Sequence, residues 1–221
     1  MPLTAAAEAA MRAIHRRDIY EGFRPLRPLD LQGWNGDHPA LADAVAEARP
    51  RLVVDLGVWK GQSVTTIARA MARHAPEGGL IAVDTFLGSP EHWNPDRPDR
   101  MMDGLLLTHG WPGLYWQFLS NMVHAGVADR VVPLPQTGEN AAVILRRLKL
   151  RPGLVHVDAA HEYEAVRRDA ATWWDLLLPG GILVGDDFPW PGVKQAAEEF
   201  AAGLGLTLEV RDPKWVLRKP R

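Results

Sequence analysis

Short apolar runs alternate with amphipathic stretches along most of this chain. Five runs predict buried strands because each is rich in Val, Ile or Leu: RLVVDLG, GLIAVDTF, RVVPLP, GLVHVD and GILVGDD. Apolar positions three to four residues apart predict helices in SVTTIARAMARHA, LYWQFLSNMVHAG, ENAAVILRRL, YEAVRRDAATWWDLL and GVKQAAEEFAAG. The last two runs, LTLEV and KWVLRK, predict a hairpin. Strands that alternate with helices in this way predict an α/β fold, with a parallel sheet covered on both faces.

Two segments depart from this alternation. Residues 1–49 predict an N-terminal helical segment, with helices from Ala5 to about Arg17 and over Pro39–Ala48. Residues 88–113 form a polar, proline-rich insertion that is long for a connection in a compact domain. Such insertions are often lids or substrate-binding segments, and a surface loop without function is the alternative. Because there is no internal repeat and no linker, we expect one domain over residues 1–221.

The composition is typical of a globular protein. The 221 residues are 47% hydrophobic, and a net charge of −2 gives no reason to expect nucleic acid or an anionic membrane as partner. No apolar run reaches the roughly 18–20 residues that a membrane-spanning helix needs. Glu8 and Arg12 interrupt the apolar part of the N-terminus, which is unlike a signal peptide. The absence of cysteine excludes disulfides and thiolate chemistry, so we expect a cytoplasmic protein.

Acids and glycines follow the first two predicted strands. Asp55, Gly57, Gly61 and Ser63 lie in VVDLGVWKGQS, between the first strand and its helix. Glycines let such a turn approach a ligand closely, and the helix offers unpaired N–H groups. The spacing differs from the Gly-x-Gly-x-x-Gly of dinucleotide-binding proteins, and a carboxylate at Asp55 suits a cationic amine or sulfonium. Asp84 ends the second strand, where it can accept both hydroxyls of a ribose, so we expect a nucleoside-bearing cofactor.

Three aspartates follow the fourth and fifth predicted strands. Asp158 comes after VHV, and Asp186 and Asp187 come after GILVG. Carboxylates at neighbouring strand ends repel one another unless a positive charge lies between them. An all-oxygen ligand set favours Mg²⁺ or another hard divalent cation. The alternative is that Asp187 caps a helix and Asp158 pairs with Arg167 or Arg168.

Four of these stretches together resemble a known family. DLGVWKGQS, AVDTF, VHVDAAHEYEAVRRD and LLLPGGILVGDDF are similar to the class I S-adenosylmethionine-dependent methyltransferases, over roughly residues 50 to 200. The resemblance is greatest to the metal-dependent O-methyltransferases, which include macrolide-sugar enzymes, cephalosporin-pathway relatives and, more distantly, catechol O-methyltransferase. It implies a Rossmann-like three-layer sandwich whose seven-stranded sheet has the order 3-2-1-4-5-7-6, with the last inserted strand antiparallel. It also implies a homodimer.

The resemblance also assigns the site residues. It implies that Asp55, Gly57, Gly61 and Ser63 surround the methionine part of the cofactor and that Asp84 binds its ribose. The same resemblance places Thr137, Gly138 and Glu139 at the adenine. Asp158 is expected beside the cofactor turn, the turn after the first strand that contains Gly57 and Gly61. It is also expected to bind the metal together with Asp186 and Asp187.

His161 is the candidate catalytic base. It lies three residues after Asp158, where the catechol enzyme has its basic lysine. The ordinary pKa of histidine, about 6.5, is close to working pH, as general-base catalysis requires. The alternative is that His161 caps the helix that follows it. His156, in the same strand, is expected to be a hydrogen-bonded core histidine.

Nine tryptophans bear on the acceptor. Their rings suit stacking on sugars or flat ligands, although core filling is the favoured explanation for any single one. Trp34, Trp93, Trp111 and Trp190 flank the predicted site, which favours a sugar or other natural-product hydroxyl, with a catechol-like phenol second. Two other functions stay open: an NAD-linked oxidoreductase, which the glycine spacing disfavours, and a non-catalytic accessory protein with this fold.

Overall fold

The computed structural model describes residues 2–221 and contains one seven-stranded sheet. The strands are β1 Leu52–Leu56, β2 Gly79–Asp84, β3 Val131–Pro135, β4 Leu154–Val157, β5 Ile182–Gly185, β6 Glu209–Arg211 and β7 Lys214–Arg218. Their order in the sheet is 3-2-1-4-5-7-6. The first five are parallel, and β7 lies antiparallel between β5 and β6. The predicted sheet order and fold class are therefore confirmed.

Within the described residues, seven α-helices cover the sheet: α1 Ala5–His15, α2 Pro39–Ala48, α3 Gln62–His74, α4 Leu114–His124, α5 Gly138–Arg147, α6 Tyr163–Leu176 and α7 Pro191–Gly203. Buried residues of α1, α5, α6 and α7 form one core with one face of the sheet. Buried residues of α2, α3 and α4 form a second core with the other face. The sheet strands are buried on both sides for this reason, as the continuous apolar runs predict.

The structure differs from the predicted elements mainly at their ends. Helix α1 stops at His15 rather than near Arg17, because Arg16 has the left-handed backbone conformation (φ 67°) that closes a helix. The hairpin forms, but its first strand is only Glu209–Arg211. The 88–113 insertion contains two 3-10 helices, Pro90–Trp93 and Met101–Leu105, and the fully buried Leu105 anchors it to the core. Among the helices of residues 2–221, none combines the length and hydropathy needed to cross a membrane.

Candidate active site

A cavity of about 370 Å³ opens beyond the carboxyl ends of β1, β4 and β5. Parallel sheets bind ligands at this edge, where the chain changes its winding direction. Four parts of the chain line the cavity: residues 32–36, the turn after β1, the 88–113 insertion, and the segments that follow β4 and β5. The cavity thus joins the predicted cofactor turn to the predicted metal residues.

The turn after β1 is built around two glycines with positive φ. Gly57 has φ 76°, and a Cβ there would lie 1.7 Å from the carbonyl oxygen of Asp158. Gly61 has φ 93°, and a Cβ there would lie 2.5 Å from Cε of Met122. No larger residue fits either position without moving its neighbours. Gly57 lines the cavity and brings the turn against the segment after β4.

Asp84, the residue predicted to bind the ribose, lines the cavity. Its Oδ2 accepts a hydrogen bond from the backbone N–H of Trp59 (2.9 Å), and its Oδ1 accepts one from Phe86 (2.7 Å). Burial raises the pKa of Asp84, while these backbone N–H groups act in the opposite direction. Because each carboxylate oxygen can accept more than one hydrogen bond, Asp84 keeps acceptor capacity toward the cavity that it lines.

Asp55 lies beneath the cavity wall rather than in it. Its side chain is fully buried, and Oδ2 accepts a hydrogen bond from the Ser63 hydroxyl at 2.8 Å. Oδ1 lies 2.7 Å from Nδ1 of His156. Ser63 lines the cavity, so Asp55 is connected to the cavity through Ser63. His156 is fully buried and hydrogen-bonded, as predicted.

Asp158, His161 and Asp187 form one cluster at the cavity. A ligating atom from each lies within 4.8 Å of the other two, and we call these three residues the outer cluster. His161 Nε2 lies 2.8 Å from Asp187 Oδ2, and this hydrogen bond raises the pKa of His161. The imidazole stacks on Trp190, with ring centroids 4.8 Å apart and an interplanar angle of 19°. Burial, followed by the negative charge of Asp186, raises the pKa of Asp158 well above its usual range.

A second group lies deeper. His156, Asp158 and Asp186 also bring ligating atoms within 4.8 Å of one another, and we call them the inner group. Lys214 of β7, fully buried, reaches two of them: its Nζ lies 2.5 Å from Asp186 Oδ2 and 3.1 Å from His156 Nε2. No sequence motif indicated this lysine, because β7 is far from every motif along the chain. Within residues 2–221, Asp158, Asp186 and Asp187 do not by themselves form a third set at this spacing.

The capping alternatives do not occur. Helix α7 begins after Trp190 and α6 begins after Glu162, so neither Asp187 nor His161 is a helix cap. Arg168 pairs with Glu139 at 2.7 Å rather than with Asp158. Helix capping and pairing with Arg168 therefore do not explain the carboxylates of Asp158 and Asp187.

The predicted adenine residues lie apart from the cavity. Thr137 caps α5 by accepting a hydrogen bond from the N–H of Asn140 (3.2 Å), and Glu139 is exposed in its pair with Arg168. Neither they nor Gly138 are among the cavity-lining residues of the described chain. Their contact with adenine stays a prediction.

Several lining residues come from segments without a motif. Gln32, Gly33, Asn35 and Gly36 line the cavity beside Trp34. A Cβ on Gly36 would lie 2.7 Å from the backbone nitrogen of Ser63. The two glycines around Trp34 were therefore the sequence feature that could have indicated this part of the site. The insertion contributes Ser89, Glu91, Arg97 and Met101, and the turn after β1 contributes Trp59. Of the four tryptophans considered for the acceptor, Trp34 and Trp190 line the cavity.

Comparison with known proteins agrees with this geometry. A family model described as "Methyltransferase domain" matches residues 54–188. No curated protein matches the chain. Solved structures with the same fold include the O-methyltransferase NovP, with 18% identity, a TM-score of 0.59, and coverage of 83% of this chain and 79% of that one.

Two further structures are similar over most of their length. The calicheamicin methyltransferase CalS11 has 20% identity and a TM-score of 0.58, covering 81% of this chain and 76% of that one. The O-methyltransferase TomG from Streptomyces achromogenes, solved in complex with SAM, has 19% identity and a TM-score of 0.57, covering 97% and 89%. The family match spans more than half of the residues, from β1 to just beyond β5. The chain therefore belongs to the methyltransferase domain family.

Proposed function

We propose that this protein is an O-methyltransferase that transfers the methyl group of S-adenosylmethionine to a hydroxyl of a sugar or sugar-bearing natural product, with a divalent cation such as Mg²⁺. The observation that carries the proposal is that the outer cluster and the cofactor turn face one cavity. CalS11, described as a TDP-rhamnose 3'-O-methyltransferase, and the SAM complex of TomG support the acceptor and the cofactor. The homodimer and the cytoplasmic location stay predictions.

The chemistry of the outer cluster fits a hard cation. Asp158 and Asp187 offer two carboxylates. Burial, followed by the negative charge of Asp186, raises the pKa of Asp158, so its ionised form would need a compensating positive charge. A divalent cation would supply that compensation and lower the pKa of a coordinated hydroxyl group. Asp158 and Asp187 are the residues that would hold it. Asp186, the third predicted ligand, already has Lys214 as its counter-charge.

The residues around the cavity then have separate tasks. Asp55, through Ser63, and Asp84 would orient the cofactor, whose sulfonium supplies the methyl group. His161 donates its Nε2 proton to Asp187, which leaves Nδ1 with a lone pair for the proton of the acceptor hydroxyl. Trp190 holds the imidazole by stacking, and Trp34 offers an apolar face to a sugar ring. Holding the partners in line can lower the barrier by about 7–11 kcal/mol.

The cation requirement is the first test. Excess EDTA should abolish methyl transfer to a panel of sugar acceptors, while S-adenosylhomocysteine still binds in calorimetry, because Asp55 and Asp84 do not need the metal. Asp187→Asn should have the same effect. Asp175→Asn, at an exposed carboxylate of α6, is the control and should leave both readouts unchanged. Full turnover in chelator would exclude the metal-dependent mechanism.

The base is the second test. His161→Gln should lower kcat by about 10²–10⁴ with little change in cofactor affinity, because glutamine cannot accept the proton. His124→Gln, on α4, is the matched control: its Nε2 lies 3.0 Å from the Arg27 carbonyl, outside the cavity. A loss smaller than about threefold would exclude His161 as the base.

The same assay separates the alternatives. Transfer to catechols but not to sugars would favour the phenol O-methyltransferase. Tight binding of S-adenosylhomocysteine without transfer to any sugar or phenol would favour a non-catalytic accessory protein.

A further inference from the structure

Lys214 has the most unusual environment of the charged residues near the cavity. It is the first residue of β7, next to β5, and its side chain is fully buried. Lysine is rarely buried completely unless it is paired. Its neighbours are Asp186 and His156, at 2.5 Å and 3.1 Å from Nζ. Both belong to the inner group, so an ammonium already lies where that group would bind a cation.

A buried row of hydrogen bonds links Lys214, His156, Asp55 and Ser63, and the donors and acceptors fix its direction. An ammonium can only donate, so His156 Nε2 accepts and His156 Nδ1 carries the proton that it donates to Asp55. Asp55 in turn accepts from the Ser63 hydroxyl at the cavity. The row of hydrogen bonds therefore runs from Ser63, in the turn after β1, to Asp186, and each donor in it meets an acceptor.

Asp186 is engaged through both of its oxygens. Oδ2 accepts from Lys214, and Oδ1 accepts from the backbone N–H of Asp187 at 2.8 Å. Asp187 has φ 57°, a left-handed conformation that is costly for a residue with a side chain. The Asp186 carboxylate thus holds the strained backbone that carries Asp187, whose side chain reaches His161.

We propose that Lys214 is a positioning residue whose ammonium takes the inner cation position. Asp186 then orients Asp187 instead of binding metal, and a divalent cation is confined to Asp158 and Asp187. The confinement rests on the proposed metal-dependent function, whereas the pairing of Lys214 with Asp186 does not. A divalent cation at the inner group would lie within a few ångströms of the ammonium, where like charges repel strongly.

Replacing the pair by neutral residues tests this inference. In Lys214→Met/Asp186→Asn, methionine matches the lysine stem and asparagine keeps an oxygen for the Asp187 N–H. Because the net charge is unchanged and no ligand is lost, the Kd for Mn²⁺, measured by calorimetry, should stay within about threefold of wild type. Loss of more than about 30-fold would show that Asp186 is a ligand and overturn the proposal.

The single variant gives a second readout, which does not depend on activity. Lys214→Met leaves Asp186 buried without a counter-charge, so Tm in chelator should fall by roughly 6–20 °C, and adding Asp186→Asn should restore most of it. Mn²⁺ should raise the Tm of the single variant more than that of wild type, because the unpaired carboxylate now recruits the ion. The matched control is Lys194→Met, alone and with Glu198→Asn, an exposed pair on α7 that should shift Tm by less than about 2 °C.

The outcomes separate the inference from the proposed function. Failure of wild type to bind Mn²⁺ would contradict the proposed cation, whereas binding that includes Asp186 would contradict only the inference. A single variant as stable as the double would show that the ammonium does not balance Asp186. Should the variants fail to fold, anomalous diffraction from wild-type crystals soaked in Mn²⁺ decides: the ion should lie at Asp158 and Asp187, and direct ligation by Asp186 would overturn the proposal.

Discussion

Two strand-to-helix turns of this protein contain a glycine that was assigned to the cofactor, and the structure builds them differently. Gly57, after β1, has φ 76°, and its missing Cβ would lie 1.7 Å from a backbone oxygen. Gly138, after β3, is the first residue of α5, and its missing Cβ would be 3.4 Å from Leu56 Cδ2. The first turn needs a glycine on two counts, whereas the second would accept a side chain.

The two glycines also differ in what surrounds them. Gly57 meets the backbone of Asp158 and opens onto the cavity. Gly138 meets side chains of α6, with Asp169 Oδ1 at 3.6 Å and Trp173 Nε1 at 3.7 Å from its Cβ position. Burial raises the pKa of Asp169 to about 6, which marks this side of the turn as poorly hydrated. A glycine therefore indicates a ligand-binding turn only where its backbone must approach another backbone segment or a ligand closely.

The largest effect is expected at the first turn. Gly57→Ala should destabilise the protein by more than about 4 kcal/mol, because the new methyl group collides with a backbone oxygen that cannot move without displacing the segment after β4. The corresponding fall in Tm is roughly 8–16 °C for a domain of this size, measured by calorimetric unfolding.

A second glycine separates crowding from backbone conformation. Gly126 has φ 71°, close to that of Gly57, but nothing lies within 4 Å of its Cβ position. Gly126→Ala should therefore cost only the conformational penalty, about 1–2 kcal/mol. Equal losses in the two variants would show that the close approach of Gly57 to Asp158 does not matter.

The fold could be predicted because its signals are local. Each parallel strand is a continuous apolar run, since both faces are buried, and each helix has its own periodicity. The sheet order followed from the resemblance and not from periodicity. The end of α1 was missed because Arg16 adopts a left-handed conformation that its residue type does not announce.

Site residues could be predicted only where a chemically suitable residue comes shortly after a predicted strand. Asp158, His161 and Asp187 follow strand ends, and the structure brings them together. Lys214 could not be found in this way, because KWVLRK reads as an ordinary strand and its burial depends on Asp186, distant in sequence. Residues 32–36 likewise reach the cavity through packing between distant parts of the chain, as where Gly36 lies against Ser63 at the start of α3.

The smallest effect is expected at the second turn. Gly138→Ala should raise the free energy of unfolding by about 0.4–1 kcal/mol, because alanine restricts the unfolded chain and its methyl group makes ordinary van der Waals contacts. The Kd for S-adenosylhomocysteine, measured by calorimetry, should change by less than about threefold, equivalent to less than about 0.7 kcal/mol, because this turn does not line the cavity. Glu139→Gln should also leave this Kd within about threefold of wild type, since the Glu139 carboxylate faces solvent and Arg168. A tenfold loss of affinity in either variant would instead mean that adenine reaches Thr137–Glu139, and the two glycine turns would then share one role despite their different construction.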